Sequence, residues 1–374
     1  MGGLEVTRRG ERHASSPRDR DQRSILLDLA RGLAALTVFL SHLRGYSFVE
    51  YGALHELDRS PVVAVVFGLT RLGHEAVLIF FVLSGYFVGG AILRRTMAGT
   101  FDLNEYSIDR VTRIVWPLAP AVLLTFALSF VTSDKIPSVS VVIGNMVGLN
   151  GVLTTTIEGN PALWSLAYEI WFYVVAGAAA FAVARQGLAR VLAIVALAVS
   201  VAVFCVLDAR YLAFWCIGAA AIYLVDSKSK GLLGLIGLAV MVLGIAAYQL
   251  GTASKSFQGQ VVMPAPLAEM LVCTGFALII PYLIAASRLV GGGWFSRGSA
   301  WLSDISYSLY LFHYPMLVAL STLWPRRDTL SVQALSICLT KAAITLALCI
   351  LLHHLFEKQT PRLRTAWKQW AAKR

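Results

Sequence analysis

Residues 24–46 read SILLDLARGLAALTVFLSHLRGY. The segment is mostly apolar and is about as long as a helix must be to cross a bilayer, roughly twenty residues. It nevertheless contains an acid, a base and an imidazole, which are Asp28, Arg31 and His42. Such groups are costly at membrane depth and usually face a bundle interior or a water-filled cavity. The segment therefore predicts a membrane helix that takes part in function.

The composition of the whole chain agrees with a membrane environment. Of the 374 residues, 57% are hydrophobic and only 14% are charged, whereas a soluble domain carries roughly a quarter charged residues. The mean hydropathy is +0.69. These features predict an all-α, polytopic transmembrane helical bundle with no room for a large soluble domain. The five cysteines show no CxxC spacing and no disulfide framework, so we interpret them as small apolar residues.

The apolar runs predict ten spans joined by short connections. Residues 1–23 are predicted to be a disordered basic cytoplasmic tail, 24–357 the transmembrane domain and 358–374 a second basic cytoplasmic tail. The apolar run at 61–70 is too short to cross and is expected in the interface or the first outer loop. The ten spans are predicted at about 25–46, 74–93, 114–132, 164–184, 190–207, 211–225, 231–250, 267–287, 300–323 and 331–355.

The positions of the basic residues test this topology. With the N-terminus in the cytoplasm, 22 of the 32 lysines and arginines lie on the inside and eight lie on the outside. This agrees with the positive-inside rule and supports an even number of spans, with both termini cytoplasmic. Topology and anionic headgroups then explain the net charge of +11. No nucleic-acid partner is expected.

The polar residues of the first span share one face. At 100° per residue, Arg31 and His42 lie about 20° apart around the helix, and Asp28 lies about 40° from His42. Asp28 and Arg31 are three residues apart and can pair. A functional site on this face is one interpretation. The other is that the two charged residues mark the inner interface and that His42 is a hydrogen-bonded structural histidine.

The stretch YSIDRVTRIVWP, just before the third span, carries Arg110 and Arg113. Being three residues apart, they would project from one face of the cytoplasmic end of a helix. Guanidinium groups bind phosphates bidentately, so the pair suits a phosphorylated ligand. A plain positive-inside anchor is the alternative.

The fourth span opens with NPALWSLAYEIWFYV and places Glu169 among aromatic residues. Trp164, Trp171 and Tyr173 are consistent with a membrane-interface belt, but a carboxylate in that setting is unusual. We expect Glu169 near the outer end, where it could orient His42 or an incoming hydroxyl group.

The ninth span contains SYSLYLFHYP, in which Tyr307, Tyr310 and His313 are spaced three apart on one face. They form either part of a site or an aromatic packing stripe with a hydrogen-bonded histidine.

Six segments, in order, resemble those of the membrane acyltransferase-3 family, whose bacterial members acylate sugars and related acceptors. The resemblance covers about residues 24–362, and Tyr86 stands where the family usually has Phe. The segments are LDLARGLAALTVFLSH, FFVLSGYFVG, DRVTRIVWP, WSLAYEIWFY, DISYSLYLFHYP and FEKQTPR.

The resemblance implies a multi-pass O-acyltransferase of the cytoplasmic (inner) membrane. Its donor would be acyl-CoA, expected to be acetyl-CoA, on the cytoplasmic side. Its acceptor would be a hydroxyl group of a sugar, glycan or glycosylated small molecule met from the outer side. No tightly bound cofactor and no fused hydrolase-like domain are expected. No metal is expected either, since the sequence has no HExxH and no Cys/His cluster. The acyl group, the acceptor and a homo-oligomeric state stay open.

By resemblance, Arg31 and His42 carry catalysis, and Arg110 and Arg113 hold the donor. His42 is predicted to be a general base, with a transient acyl-histidine as an open alternative. The remaining assignments are Asp28 and Glu169 to catalysis, Ser84 and Tyr86 to donor binding, and Trp164, Ser165, Tyr310 and His313 to acceptor binding.

Two other functions fit the same residues. A proton-coupled secondary transporter would also place an acid, a base and an imidazole inside the membrane. Transporters often show two related halves, which this sequence does not. A non-catalytic partner in polysaccharide export would make the clustering of these polar residues a coincidence.

Overall fold

The structure, a computed structural model, describes residues 24–133, 135–253, 263–290 and 293–371. The predicted tail at 1–23 lies outside the described residues. The described chain is helical throughout, apart from turns and loops. Its α-helices are α1 Ile25–Ser47, α2 Pro61–Leu69, α3 Gly73–Ser84, α4 Gly90–Met97, α5 Leu103–Thr132, α6 Val139–Met146, α7 Trp164–Ala184, α8 Gly187–Ala202, α9 Ala209–Ala220, α10 Lys230–Ala253, α11 Ala265–Ser287, α12 Trp294–Leu323, α13 Val332–Leu355 and α14 Thr360–Ala371.

The predicted polytopic helical bundle is confirmed. In the described part of the chain, eight helical stretches are long and apolar enough to cross a membrane. A shorter apolar helix, Ala209–Leu224, and the 30-residue helix α12 occupy the places of the predicted sixth and ninth spans. The count of ten spans and the cytoplasmic position of both termini stay predictions.

Two segments outside the predicted spans are also helical. The apolar run at 61–70 forms α2, which is capped by Ser60 and begins with Pro61. Residues of the predicted C-terminal tail form α14, which lies against the start of α5. Lys368 of α14 binds Glu105 at 2.8 Å and Asp109 at 2.9 Å.

Local sequence explains how the first helix begins. The Ser24 hydroxyl caps α1 by accepting a hydrogen bond from the Leu27 amide. It also contacts the Ser287 hydroxyl at 2.8 Å, so the N-terminal end of α1 is tied to the C-terminal end of α11. Through its length, α1 packs against α12 and α3. This fixes the polar face of α1 toward the interior of the bundle.

Close helix packing accompanies a π-helical turn, Gly85–Gly89, between α3 and α4. A Cβ atom at Gly85 would overlap the Trp215 carbonyl oxygen of α9, and one at Gly218 would overlap the Val82 carbonyl oxygen. Small residues let membrane helices approach closely, and π turns often occur at functional sites. Here the turn holds Ser84 and Phe87 on the wall of an internal cavity.

Candidate active site

Two cavities lie at opposite ends of α1. The inner cavity, of about 830 Å³, is lined by Asp28 and Arg31 from the N-terminal half of the helix. The outer cavity, of about 270 Å³, is lined by His42 from the C-terminal half. We name them after the predicted topology. Val77 and Tyr310 line both cavities, so the two spaces meet at these side chains.

The inner cavity is rich in charge of both signs. Exposed side chains such as Asp304, Lys358 and Arg364 mark its mouth. The charged side chains that line it are Arg31, Arg110, Arg113, Lys358, Arg364, Asp28, Asp109, Glu169, Asp304 and Glu357.

The three arginines predicted from sequence meet in this cavity. Arg31 lies over the Phe87 ring, with its guanidinium carbon 4.7 Å from the ring centre. Arg110 lies over the Tyr173 ring at 5.4 Å, and its buried Nε has no hydrogen-bond partner among the described residues. Arg113 approaches Glu357 at 3.9 Å, and its side chain is 45% exposed. Arg110 and Arg113 therefore offer donors to a ligand.

Glu357 joins the end of α13 to α12 and thereby shapes the inner cavity. Its Oε2 accepts hydrogen bonds from the Ser308 hydroxyl at 2.6 Å and the Ser308 amide at 3.0 Å. The same oxygen lies 3.2 Å from His353 Nδ1. In the sequence, Glu357 belongs to FEKQTPR, the last of the six segments that resemble the family. Its partner Ser308 was not anticipated, because the contact joins residues 49 positions apart.

Asp28 and Glu169 both lie on the inner cavity. Asp28 Oδ1 accepts a hydrogen bond from the Ser303 hydroxyl at 3.2 Å, and its charge acts on Arg31. Glu169 Oε1 accepts a hydrogen bond from the Tyr173 hydroxyl at 2.6 Å. The structure does not bring Glu169 to His42 at the outer end, where the sequence analysis expected it. One helical turn along α7 is enough to move its carboxylate into the inner space.

A chain of hydrogen bonds supports this carboxylate. The indole N–H of Trp215 donates to the Ser84 hydroxyl at 3.2 Å. Ser84 Oγ lies 3.2 Å from the Tyr173 hydroxyl oxygen, so it can donate onward to Tyr173 and hence support Glu169. Ser84 thus lines the inner cavity as expected. Tyr86 is not among the residues that line either cavity, and its ring packs on Phe87.

A pair of histidines, His42 and His313, lies beside the outer cavity, and His42 lines it. His42 Nδ1 lies 2.8 Å from His313 Nε2, and His313 Nδ1 lies 2.8 Å from the Leu309 carbonyl oxygen. A carbonyl cannot donate, so His313 carries its proton on Nδ1. His313 is fully buried and would be costly to charge there, so its Nε2 accepts a hydrogen bond from His42 Nδ1. His42 is left with an unprotonated Nε2, which is what a general base requires.

The remaining candidates lie at or near the boundary between the cavities. Trp164 lines the outer cavity and Ser165 the inner one. The Tyr310 hydroxyl lies 2.6 Å from the Ser165 hydroxyl and donates to the Ala162 carbonyl at 2.9 Å. His313 contacts His42 but is not among the residues that line either cavity. His74, which the sequence analysis did not consider, lines the outer cavity beside Trp164.

Comparison with known proteins identifies the family of the chain. The family model for acyltransferase domains of type 3 matches residues 25–354, nearly the whole described bundle. No curated protein and no solved structure matches the chain.

Proposed function

The chain belongs to the acyltransferase-3 family and is a multi-pass membrane acyltransferase, and from this premise we propose its donor, acceptor and mechanism. It transfers an acetyl group from acetyl-CoA on the cytoplasmic side of the inner membrane to a hydroxyl group of a sugar or glycan on the outer side. One observation carries the proposal. An arginine-lined cavity and a cavity lined by His42 lie along a single helix and share Val77 and Tyr310 in their walls.

The inner cavity suits the nucleotide end of the donor. Arg110 and Arg113 can bind its phosphates through charge-assisted hydrogen bonds, which are roughly twice as strong as neutral ones. Arg110 Nε is buried and has no hydrogen-bond partner among the described residues, so the guanidinium would turn to present it to a phosphate. CoA is too large and too charged to cross the bundle, but its pantetheine arm is thin enough to extend inward. The arm would bring the thioester to the boundary at Tyr310 and Val77.

The outer cavity suits the acceptor. Trp164 and Tyr314 line it together with the Ser41 hydroxyl and His42. Aromatic faces beside hydrogen-bonding groups fit a sugar ring, which has apolar faces and polar edges. The His42–Tyr314 rings lie edge to face at 4.9 Å, which keeps the imidazole at the cavity wall.

His42 then acts as the general base. Its Nε2 takes the proton of the acceptor hydroxyl as the oxygen attacks the thioester carbonyl carbon. The tetrahedral intermediate collapses with cleavage of the C–S bond. His42 gives the proton to the leaving thiolate, so the products are the O-acetyl ester and free CoA. His313 holds His42 in the tautomer that this step requires. Arg31 and Asp28 place charges of opposite sign beside the path of the thioester.

The test measures acetyl transfer by the purified protein in sealed vesicles of phosphatidylethanolamine and phosphatidylglycerol. We expect acetyl-CoA to release CoA thiol in the wild type and not in His42→Ala. Mass spectrometry of surface glycans from cells with and without the gene would identify the acetylated acceptor. If no CoA is released, and acidification drives uptake of a solute instead, the protein is a proton-coupled transporter and the proposed function is wrong.

A further inference from the structure

A second imidazole faces the outer cavity. His74 lies at the start of α3 and lines this cavity together with His42. Its ring stacks on Tyr248, with ring centres 5.0 Å apart and an angle of 13° between the planes. Its Nε2 donates a hydrogen bond to Glu269 Oε1 at 2.8 Å. The orientation of the His74 ring is therefore fixed by packing and by a carboxylate.

That carboxylate belongs to a chain of charges. Glu269 is buried in α11, and its other oxygen accepts a hydrogen bond from Arg210 Nη1 at 3.0 Å. Arg210 also donates from Nε to Asp208, in the loop before α9, at 2.7 Å. The hydrogen bonds from Arg210 lower the pKa of the Asp208 carboxyl, although burial acts to raise it. Asp208 is thus an anion at neutral pH.

Together these groups favour a positive charge on His74. Glu269 and Asp208 are negative and Arg210 is positive. The cluster of these three side chains and His74 therefore has a net charge of −1 when His74 is neutral and of zero when His74 is protonated. A compensated cluster is favoured over an uncompensated one in apolar surroundings. Arg210 and Glu269 are held on separate helices, α9 and α11, so the arrangement requires the assembled bundle.

Two further charged groups lie near His74. Glu75, the next residue on α3, interacts electrostatically with His74 and with Arg71, which lies just before the helix. The facing helix α10 contributes Gln249, which donates to Glu75 Oε1 at 2.6 Å, and Tyr248. None of these contacts supplies a second cation to Glu269.

The two histidines of the outer cavity thus have opposite surroundings. His42 is backed by a neutral imidazole, and His74 is backed by a carboxylate. A pair of titratable groups whose surroundings favour opposite protonation states divides into a base and an acid. We propose that His74, as an imidazolium, is a further catalytic residue that stabilises the oxyanion of the tetrahedral intermediate. This inference rests on the proposed acyl transfer.

The step keeps protons and electrons balanced. His42 Nε2 takes the proton of the attacking hydroxyl, and a new C–O bond forms at the acyl carbon. The carbonyl oxygen becomes an oxyanion and accepts a hydrogen bond from His74 Nδ1–H. When the C–S bond breaks, the carbonyl re-forms and the thiolate takes the proton from His42. His74 keeps its proton throughout, with Glu269 holding Nε2–H.

Hydrolysis of acetyl-CoA by the full-length protein in phosphatidylethanolamine and phosphatidylglycerol vesicles tests the assignment, with water as the acceptor. The rate of CoA release is measured against pH in the wild type, His74→Gln and Glu269→Gln. We expect His74→Gln to lower kcat with the KM for acetyl-CoA unchanged. The fall should be less than the roughly 10²–10³-fold that follows complete loss of an oxyanion donor, because the glutamine amide can still donate but carries no charge. The alkaline limb of the wild-type pH profile should be absent from this variant, which has no imidazole at position 74.

Glu269→Gln keeps the size of the side chain and removes its charge. We expect the alkaline limb of the pH profile to move to lower pH, because the imidazolium loses its counter-ion. Glu158→Gln, at an exposed acid in the loop before α7, is the matched control and leaves the limb in place.

The same measurements distinguish failure of the role proposed for His74 from failure of the proposed acyltransferase function. If the wild type hydrolyses acetyl-CoA and the alkaline limb is unchanged in both His74→Gln and Glu269→Gln, the inference is overturned and the proposed function stands. If these variants only lower the yield of folded protein and leave the alkaline limb unchanged, the cluster of His74, Glu269, Arg210 and Asp208 has a purely structural role. If the wild type releases no CoA, the proposed function is wrong and this inference falls with it.

Discussion

The inner and outer cavities are built along the same helix but differ in size and in how their polar groups are held. The inner cavity is about three times larger and has exposed charged side chains at its mouth. Its arginines have loose or aromatic partners, so they can turn toward a ligand. The outer cavity is small, and each of its imidazoles is fixed by a hydrogen bond at 2.8 Å. Recognition of a large anion tolerates adjustable side chains, whereas proton transfer requires fixed ones.

The membrane topology gives the most decisive test. We expect the inner and outer cavities to open on opposite sides of the membrane, so single cysteines near each cavity should be labelled from opposite sides. We choose Asn104, before the paired arginines, and Glu158, before α7, because both side chains are exposed. The native cysteines are replaced first. Labelling of both positions by an impermeant maleimide from one side would remove the basis for transfer across the membrane.

Within the outer cavity, His42→Ala should have the strongest effect on rate. Loss of a general base typically lowers a rate by roughly 10²–10⁴-fold. CoA release should fall by that amount, while the yield of folded protein in detergent stays constant. A variant that retains more than a tenth of the wild-type rate would show that His42 is not the base.

Within the inner cavity, the arginines should affect donor affinity rather than the chemical step. Each charge-assisted contact with phosphate is worth about 1.5–3 kcal/mol. Arg110→Ala and Arg113→Ala should therefore weaken acetyl-CoA binding, measured by calorimetry, and the loss should be greater for Arg110, which lacks an ion-pair partner among the described residues. Arg190→Ala, at an exposed site on α8, is the control. Equal affinities in all three variants would return Arg110 and Arg113 to the role of membrane anchors.

His313 gives a finer test of how His42 is held. His313→Ala removes the acceptor of the His42 Nδ1–H bond, and leaving a buried donor unsatisfied costs about 1–3 kcal/mol. The expected result is a drop in kcat with little change in the KM for acetyl-CoA. His313→Gln can still accept the bond and should restore much of the rate. If the alanine and glutamine variants behave alike, packing and not tautomer control explains the contact.

The smallest effect concerns the scaffold that both cavities share. Gly85→Ala places a methyl group against the Trp215 carbonyl, and such overpacking costs about 1–3 kcal/mol of stability. The melting temperature in detergent should fall. Gly68→Ala is the matched control, because nothing lies within 4 Å of its added methyl group. A melting temperature for Gly85→Ala equal to that of Gly68→Ala would mean that α3 and α9 can separate without loss.

Much of the fold and part of the site could be read from the chain alone. The bundle architecture and the polar face of α1 depend on hydropathy and helical periodicity, which are local properties. The same holds for Arg110 and Arg113, which lie three apart on one helix. Glu169 was expected beside His42, and its partner is Tyr173, four residues away. The neighbouring helices decide which cavity the Glu169 carboxylate faces. The sequence of α7 alone does not contain this information.

The sequence by itself determined a membrane-embedded helical bundle with an acid, a base and an imidazole on its first helix. Each of these features depends on residues that lie within a few helical turns of one another. Only the tertiary structure decided the partners of those groups. His42 meets His313 across 271 residues of chain, and His74 meets Glu269 across 195. The protonation states that divide the outer cavity into base and acid depend on these contacts. Hydrogen bonds reach only about 3 Å, so they exist only after the helices have packed.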